Sequence, residues 1–176
     1  HPYYGSGWCR NIVYPLLGFD QMIFKDDFAA PKKIRNYISD ESAFQKIIEL
    51  YEEKGVGEKL FTFEVTMQNH GGYSKDVEDF NESIYLTDEM SQGTQVRAAE
   101  KYLTLIRESD QAFKELVEYF EKQQEPTIIL MFGDHQPSDY ITNVILRELG
   151  LDRDTYDDVY YNNYIVPYIM WSNYDM

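Results

Sequence analysis

An α/β fold with a largely parallel sheet and flanking helices is what this chain predicts, and three observations predict it. Residues 127–132 form an unbroken apolar run rich in β-branched and aromatic side chains, the pattern of a strand buried on both faces of a parallel sheet. That run stops at Gly133-Asp134-His135, and open α/β sheets bind their ligands at strand carboxyl ends. Helical and strand patterns alternate along the chain, with no internal repeat and no long linker. With 176 residues there is material for one domain with a real core, not comfortably for two.

Each element follows from its residues. The opening segment, HPYYGSGWCRN, reads as a loop of small, aromatic and cationic residues that precedes residues 12–17. Ser39 or Asp40 can cap a helix whose apolar positions Phe44, Ile47, Ile48 and Tyr51 recur at helical spacing, and Gly55 can end it. Residues 60–67 (LFTFEVTM) alternate apolar and polar as a strand and run into the polar, Gly-rich turn Gln68-Asn69-His70-Gly71-Gly72. Residues 73–95 read as an extended surface loop. From about residue 96 to 122, Ala99, Tyr102, Leu103, Ile106, Phe113, Val117 and Phe120 trace one helical stripe with Asp110 on it. That helix feeds the 127–132 strand. Residues 141–149 predict a shorter helix stopped at Gly150, and residues 164–171 a last apolar strand, near an edge or bulged because it contains Pro167.

Composition removes several functions. A 43% hydrophobic share with 16% aromatic residues describes a packed globule, not a disordered segment. Against 16 basic residues stand 31 acidic ones, a net charge of −15, which opposes broad contact with nucleic acid or an anionic membrane surface. A phosphate-bearing substrate therefore requires a local cationic site. Cys9 is the only cysteine, so no internal disulfide forms. No run reaches the roughly 18–20 apolar residues of a membrane span, and no signal peptide opens the sequence, so the chain itself is expected to be soluble.

The chemistry concentrates in a few side chains. Asp134 and His135 offer a carboxylate oxygen and an imidazole nitrogen side by side after a strand, either as metal ligands or as a helix cap beside a His that merely covers a strand end. The chain has only three histidines, His1, His70 and His135; two follow strands and the first stands just ahead of Gly-Ser-Gly-Trp-Cys-Arg. His70 reads as a substrate or leaving-group contact, or as the donor of a loop-stabilising hydrogen bond. Arg10 presents a planar fork matched to phosphate oxygens, and the indole of Trp8 can wall a small apolar or polyol group. The alternative for Arg10 is a pairing with one of the many carboxylates.

In order, the chain carries His-x6-Trp-x-Arg, Tyr-Pro-x-x-Gly-Phe-Asp at 14–20, a strand ending in Gln-Asn-His-Gly, a Tyr-Leu-x6-Asp helix and Phe-Gly-Asp-His. This series resembles the C-terminal half of lipoteichoic acid synthase, a phosphoglycerol transferase of the sulfatase and alkaline-phosphatase-like superfamily. Each motif is short, and their order and approximate spacing from residue 1 to about 175 make the match. The resemblance implies an alkaline-phosphatase-like (sulfatase) fold, present here as a single partial domain over residues 1–176. It implies that Asp134 and His135 coordinate a divalent cation, manganese first, with magnesium and zinc as alternatives. His70 inherits glycerophosphate binding and proton transfer to the leaving oxygen. Trp8 and Arg10 inherit phosphate contact and His1 joins them; Asp110 matches a family helix position, but a structural role is expected of it.

The resemblance also implies what is missing. The family's threonine nucleophile and its other metal carboxylate lie upstream of the matched segment, so the fragment alone is expected to bind metal weakly and to be inactive. The parent is expected to be membrane-anchored on the extracytoplasmic face, to take an anionic phospholipid headgroup as substrate, and to pass glycerophosphate to an envelope polymer or glycolipid. Membrane contact would come through the absent segments, with no nucleic acid and no obligate protein partner. Two other readings share these residues: a sulfatase or phosphodiesterase that hands the group to water, and a non-catalytic domain that keeps the fold.

Overall fold

Two left-handed residues bring the chain into its first helix. Trp8 (φ 50°) and Cys9 (φ 54°) lie in a short 3-10 turn, Gly7–Cys9, that leads directly into α1, Arg10–Leu16. The computed structural model describes residues 1–73, 80–87, 93–150 and 164–175. The loop expected over residues 1–11 thus gives way to helix two residues sooner, and Arg10 is the first residue of α1. Non-glycine residues in this backbone region cost roughly 1–3 kcal/mol each and persist only where their surroundings hold them.

A short hairpin follows. β1 (Lys33–Ile34) pairs antiparallel with β2 (Tyr37–Ile38), Lys33 opposite Ile38 and Ile34 opposite Tyr37. Its two-residue turn, Arg35-Asn36, has positive φ at both positions, 56° and 76°, which matches the right-handed twist of the flanking strands. Asn tolerates that conformation; Arg does not favour it.

The Ser39 cap is realised. Its hydroxyl accepts from the Ser42 backbone N–H at 3.1 Å and opens α2, Asp40–Glu53, with Asp40 and Glu41 in the first turn where the helix dipole favours negative charge. α2 buries Ala43, Phe44 and Ile48. With Phe28, Ile38, Met67, Ala112 and Phe113 they form the core of the first of two compact units, which holds His1–His70 and Arg107–Leu116. Residues 60–67 form no assigned strand; their alternation is present, but they have no ladder partner among the described residues.

The second unit holds the described residues of Gly71–Asp76, of Asn81–Ile106 and of Val117–Met176. α3, Thr94–Phe120, runs through both units. Its buried side includes Ala98, Ala99, Lys101, Thr104, Leu105, Ser109, Ala112, Phe113, Leu116 and Phe120. The expected stripe is therefore rotated: Ile106 is exposed, and Asp110 faces out while its neighbour Ser109 faces in. The physical reason is polar: Thr104 receives the Ser83 and Ile84 backbone N–H groups, and Ser109 anchors a network described below, so hydroxyls occupy positions that hydropathy reserves for Leu and Ile.

α4, Asp139–Glu148, packs Ile141 and Val144 on Ala98 and Ala99, and Gly150 (φ 66°) follows it as expected. β3 (Ile128–Phe132) pairs with β4 (Tyr168–Ser172), Ile128 opposite Ser172 and Phe132 opposite Tyr168. Pro167 lies just before β4, and its carbonyl accepts from Gly133 N–H at 3.3 Å. The α/β class stands. The strand pairs among the described residues are antiparallel, however, and β3 is not buried on both faces: Ile128, Leu130 and Phe132 are each 54% exposed. Apolar content alone cannot tell a covered strand from an uncovered one. Parts of the expected loop at 73–95 and the segment 151–163 lie outside the described residues. Among the described residues no helix is long and apolar enough to cross a membrane.

Asn173 locks β4 to the approach of β3. Its amide oxygen accepts from Thr127 N–H at 2.9 Å, and its amide nitrogen donates to the carbonyls of Phe120, Gln123 and Glu125 at 3.2, 3.0 and 2.9 Å. Asn173→Ala is expected to lower the stability of this unit by about 2–3 kcal/mol, since several backbone groups lose their partner at once. Urea unfolding measures it; a change below about 0.5 kcal/mol would show that water replaces the side chain at little cost.

Candidate functional site

The first unit gathers four of the predicted site residues. His1 is buried, 6% exposed, and its ring is held at both nitrogens: Nδ1 lies 2.6 Å from the Val65 carbonyl and Nε2 lies 2.8 Å from Arg10 Nη1. A guanidinium only donates and a carbonyl only accepts, so the ring is the neutral tautomer with its proton on Nδ1. Val65, in the alternating 60–67 segment, thereby orients His1, and His1 orients Arg10. Among the described residues Arg10 makes no ion pair with a carboxylate.

Arg10 also stacks on its neighbour. Its guanidinium carbon lies 4.6 Å from the Trp8 ring centre, which spreads the cation over an indole that is itself 63% exposed. The left-handed backbone at Trp8 and Cys9 turns that indole toward both histidines: ring centres lie 6.4 Å from His1 and 6.3 Å from His70, each edge to face. His1, Trp8, Arg10 and His70 therefore form one cluster, with a buried imidazole behind and an exposed imidazole, an indole face and a guanidinium in front.

The His70 turn is fastened from below. Asp40 Oδ2 accepts from Ser109 Oγ at 2.5 Å; Ser109 Oγ accepts from Gln68 Nε2 at 3.1 Å and Asn69 Nδ2 at 2.8 Å; Gln68 Oε1 accepts from Asp40 N–H at 2.9 Å. Asp40, Gln68 and Ser109 are each 3% exposed or less. The two residues before His70 are thus tied into the core through one serine. The sequence assigned the structural role on this helix to Asp110, which is exposed. A serine one position inside an otherwise apolar stripe is the signal that would have found the right residue.

Burial raises the Asp40 carboxyl above its ordinary value of 3.8, while hydrogen bonds from Ser109 and Thr66 and from the Gln68 backbone pull it back. A carboxyl with a raised native pKa binds its proton more tightly when folded, so its contribution falls as pH rises from the ordinary carboxylate range through the native value. Asp40→Asn keeps a carbonyl for Ser109 and cannot ionise. Its stability is expected to rise relative to the parent chain as pH climbs from roughly 3 to 7, measured by chemical unfolding; parallel curves would mean the buried carboxylate is stabilised fully in its charged form.

The second unit carries the remaining pair. After β3, Gly133 N–H bonds the Pro167 carbonyl and Asp134 and His135 turn outward, 80% and 78% exposed at their side chains, with Asp134 Oδ1 and His135 Nε2 3.7 Å apart. His135 Nδ1 lies 2.7 Å from the Gln136 carbonyl, so Nδ1 carries the proton and the Nε2 lone pair is left beside the carboxylate. That is the arrangement of a metal-binding histidine whose other nitrogen is held by a carbonyl. Two donors fit a divalent cation and do not complete its shell; among the described residues no group of three or more His, Cys, Asp or Glu side chains comes together. The alternative reading of Asp134 as a helix cap does not hold, because Ser138 precedes α4.

Comparison with known proteins shows the family and the fold. The family model described as Sulfatase matches residues 1–175. Two solved structures share the fold: the Listeria monocytogenes lipoteichoic acid synthase LtaP, with a TM-score of 0.72 and 18% identity over 97% of this chain and 41% of that one; and the Streptococcus pyogenes phosphoglycerol transferase GacH in complex with sn-glycerol-1-phosphate, with a TM-score of 0.67 and 23% identity over 98% of this chain and 42% of that one. Two Rhizobium meliloti (strain 1021) proteins are similar in sequence. One, named for cyclic beta-1,2-glucan modification, is 30% identical over 176 residues; the other, the capsular polysaccharide biosynthesis protein RkpI, is 28% identical over 138. The chain spans about a quarter of the length of these curated relatives, 27% and 23%.

Proposed function

Because the chain belongs to the sulfatase family, we propose that it forms part of a metal-dependent enzyme that moves glycerophosphate from an anionic phospholipid to a saccharide hydroxyl of the cell envelope, on the extracytoplasmic side of the membrane. The observation that carries this reading is the cluster in which His1 holds Arg10 against Trp8 beside an exposed His70. An oriented guanidinium recognises two phosphate oxygens at once, an indole face accommodates the glycerol carbons, and an imidazole at the edge can supply a proton. A sulfate ester needs the first of these and not the glycerol wall.

The roles divide as follows. Arg10 binds and orients the phosphate, and the neutral His1 behind it prevents the guanidinium from swinging away. Trp8 packs on the glycerol unit. His70 gives a proton to the diacylglycerol oxygen as the bond between that oxygen and phosphorus breaks, while an incoming hydroxyl oxygen forms the new bond to phosphorus and releases its own proton to solvent. Asp134 and His135 hold a divalent cation, for which manganese suits a carboxylate and imidazole pair, with magnesium and zinc as alternatives. When bound, the cation supplies charge that stabilises phosphoryl oxygens in the transition state. The saccharide acceptor is supported by the names of the two Rhizobium relatives, one for glucan modification and one for capsular polysaccharide biosynthesis.

The test uses the full-length protein that contains this chain. Manganese-dependent release of diacylglycerol from phosphatidylglycerol is expected, with glycerophosphate appearing on an added glucan, beside an aryl sulfate as competing substrate. Sulfate release without diacylglycerol release would make it a sulfatase; phosphodiester cleavage without glycan labelling would make water the acceptor; neither reaction would leave a binding domain.

A further inference from the structure

The β1–β2 hairpin lies against His70 at two points, and nothing in the roles above uses it. Arg35, buried at 5% exposure, donates from Nη1 to the His70 carbonyl at 3.3 Å. Tyr37 places its hydroxyl 3.3 Å from His70 Nδ1, with ring centres 5.8 Å apart. The hairpin reaches this position through two consecutive left-handed non-glycine residues, Arg35 and Asn36, and the Arg35 guanidinium carbon lies 5.9 Å from the Tyr37 ring centre. A strained turn whose own Arg35 holds the His70 backbone and whose next residue, Tyr37, reaches the exposed imidazole is a device for holding that imidazole.

We propose that Tyr37 is a positioning residue for His70, and that the Arg35-Asn36 turn exists to deliver its hydroxyl to Nδ1. With Nδ1 occupied, the ring cannot rotate to exchange its nitrogens, and Nε2 is the nitrogen left for a substrate oxygen. A hydroxyl both donates and accepts, so Tyr37 can hold the ring before and after it gives up a proton: it donates to a bare Nδ1 and accepts from a protonated one. Neither a phenylalanine nor a methionine could do this. Arg35 fixes the backbone of the same residue, and the buried Ser109 network fixes the two residues before it, so Tyr37 controls the one remaining freedom, rotation of the side chain. The inference rests on His70 serving the proposed transfer only for its effect on rate, not for its effect on the ring.

Two readouts on the full-length protein test it. In histidine-labelled protein, relaxation of the His70 ring carbons should show an ordered ring that becomes mobile in Tyr37→Phe, with the unfolding midpoint nearly unchanged; a ring equally ordered in both proteins overturns the proposal whatever reaction the enzyme performs. In the diacylglycerol-release assay, Tyr37→Phe should lower kcat about tenfold and leave KM for phosphatidylglycerol within about twofold, because misplacement of a catalytic group acts on the chemical step. On a His70→Ala background the same substitution should change kcat little, since the group it positions is gone. An equal loss in both backgrounds would make Tyr37 an ordinary structural residue. Absence of any diacylglycerol release from the unmodified protein would sink the proposed function and leave the ring measurement to decide this inference.

Discussion

Arg10→Ala is expected to weaken binding of sn-glycerol-1-phosphate by a factor of about 10² to 10³, and kcat/KM for phosphatidylglycerol by a similar factor. Two charge-assisted hydrogen bonds from one guanidinium contribute roughly 1.5–3 kcal/mol each, and here the guanidinium is held in place by His1 Nε2 at 2.8 Å and by the Trp8 face before any ligand arrives. The truncation also leaves His1 Nε2 buried without its donor. Arg10→Lys should recover only a small part of the loss: the charge returns, but a compact ammonium on a flexible stem lacks the planar fork that holds the imidazole on one side and two phosphate oxygens on the other. Calorimetric titration with sn-glycerol-1-phosphate measures the effect. Equal affinity of the parent chain and Arg10→Ala would remove Arg10 from the anion site and return it to the role of a helix-starting residue packed on an indole.

Asp134→Asn and His135→Ala are expected to abolish metal-dependent turnover, on the order of 10²- to 10³-fold, because a cation that stabilises phosphoryl oxygens contributes several kcal/mol to the transition state. The substitutions change almost nothing in the fold, since both side chains are about four-fifths exposed and α4 is started by Ser138. Loss of activity with an unchanged unfolding midpoint is therefore the expected pattern. Chelation of the unmodified protein should reproduce it, and manganese should restore the chelated protein but not the variants. Because His135 Nδ1 is held by a backbone carbonyl, no side-chain substitution nearby should mimic the effect through tautomer change. Full manganese-dependent activity in Asp134→Asn would refute the assignment of this pair.

Long amphipathic stretches were legible without coordinates. The helices at 40–53, 94–120 and 139–148 and the strand at 128–132 fall within a few residues of their expected places, because period and caps are local properties. Of the six site residues expected from the sequence, four meet in one cluster. What was not legible depended on partners. Residues 60–67 alternate as a strand does, yet a strand is defined by a ladder, and that segment instead supplies a carbonyl to His1. The hairpin at 33–38 has two-residue strands, too short for any periodic signal, and its Arg35-Asn36 turn breaks the usual preference for Gly.

Sequence alone determined which residue types stand at the ends of which elements: an Arg two residues after a Trp, a His in a Gly-rich turn, an Asp-His pair after an apolar run. Those follow from the order of residues and from the chemistry each side chain carries. Only the tertiary structure decided that His1 is buried behind Arg10, that Ser109 rather than Asp110 faces inward, that β3 meets an antiparallel partner, and that Tyr37 reaches His70 from 33 residues away. Each of these is a contact between segments distant in sequence, and a donor's partner is set by which acceptor the folded chain brings within about 3 Å, which no local pattern encodes.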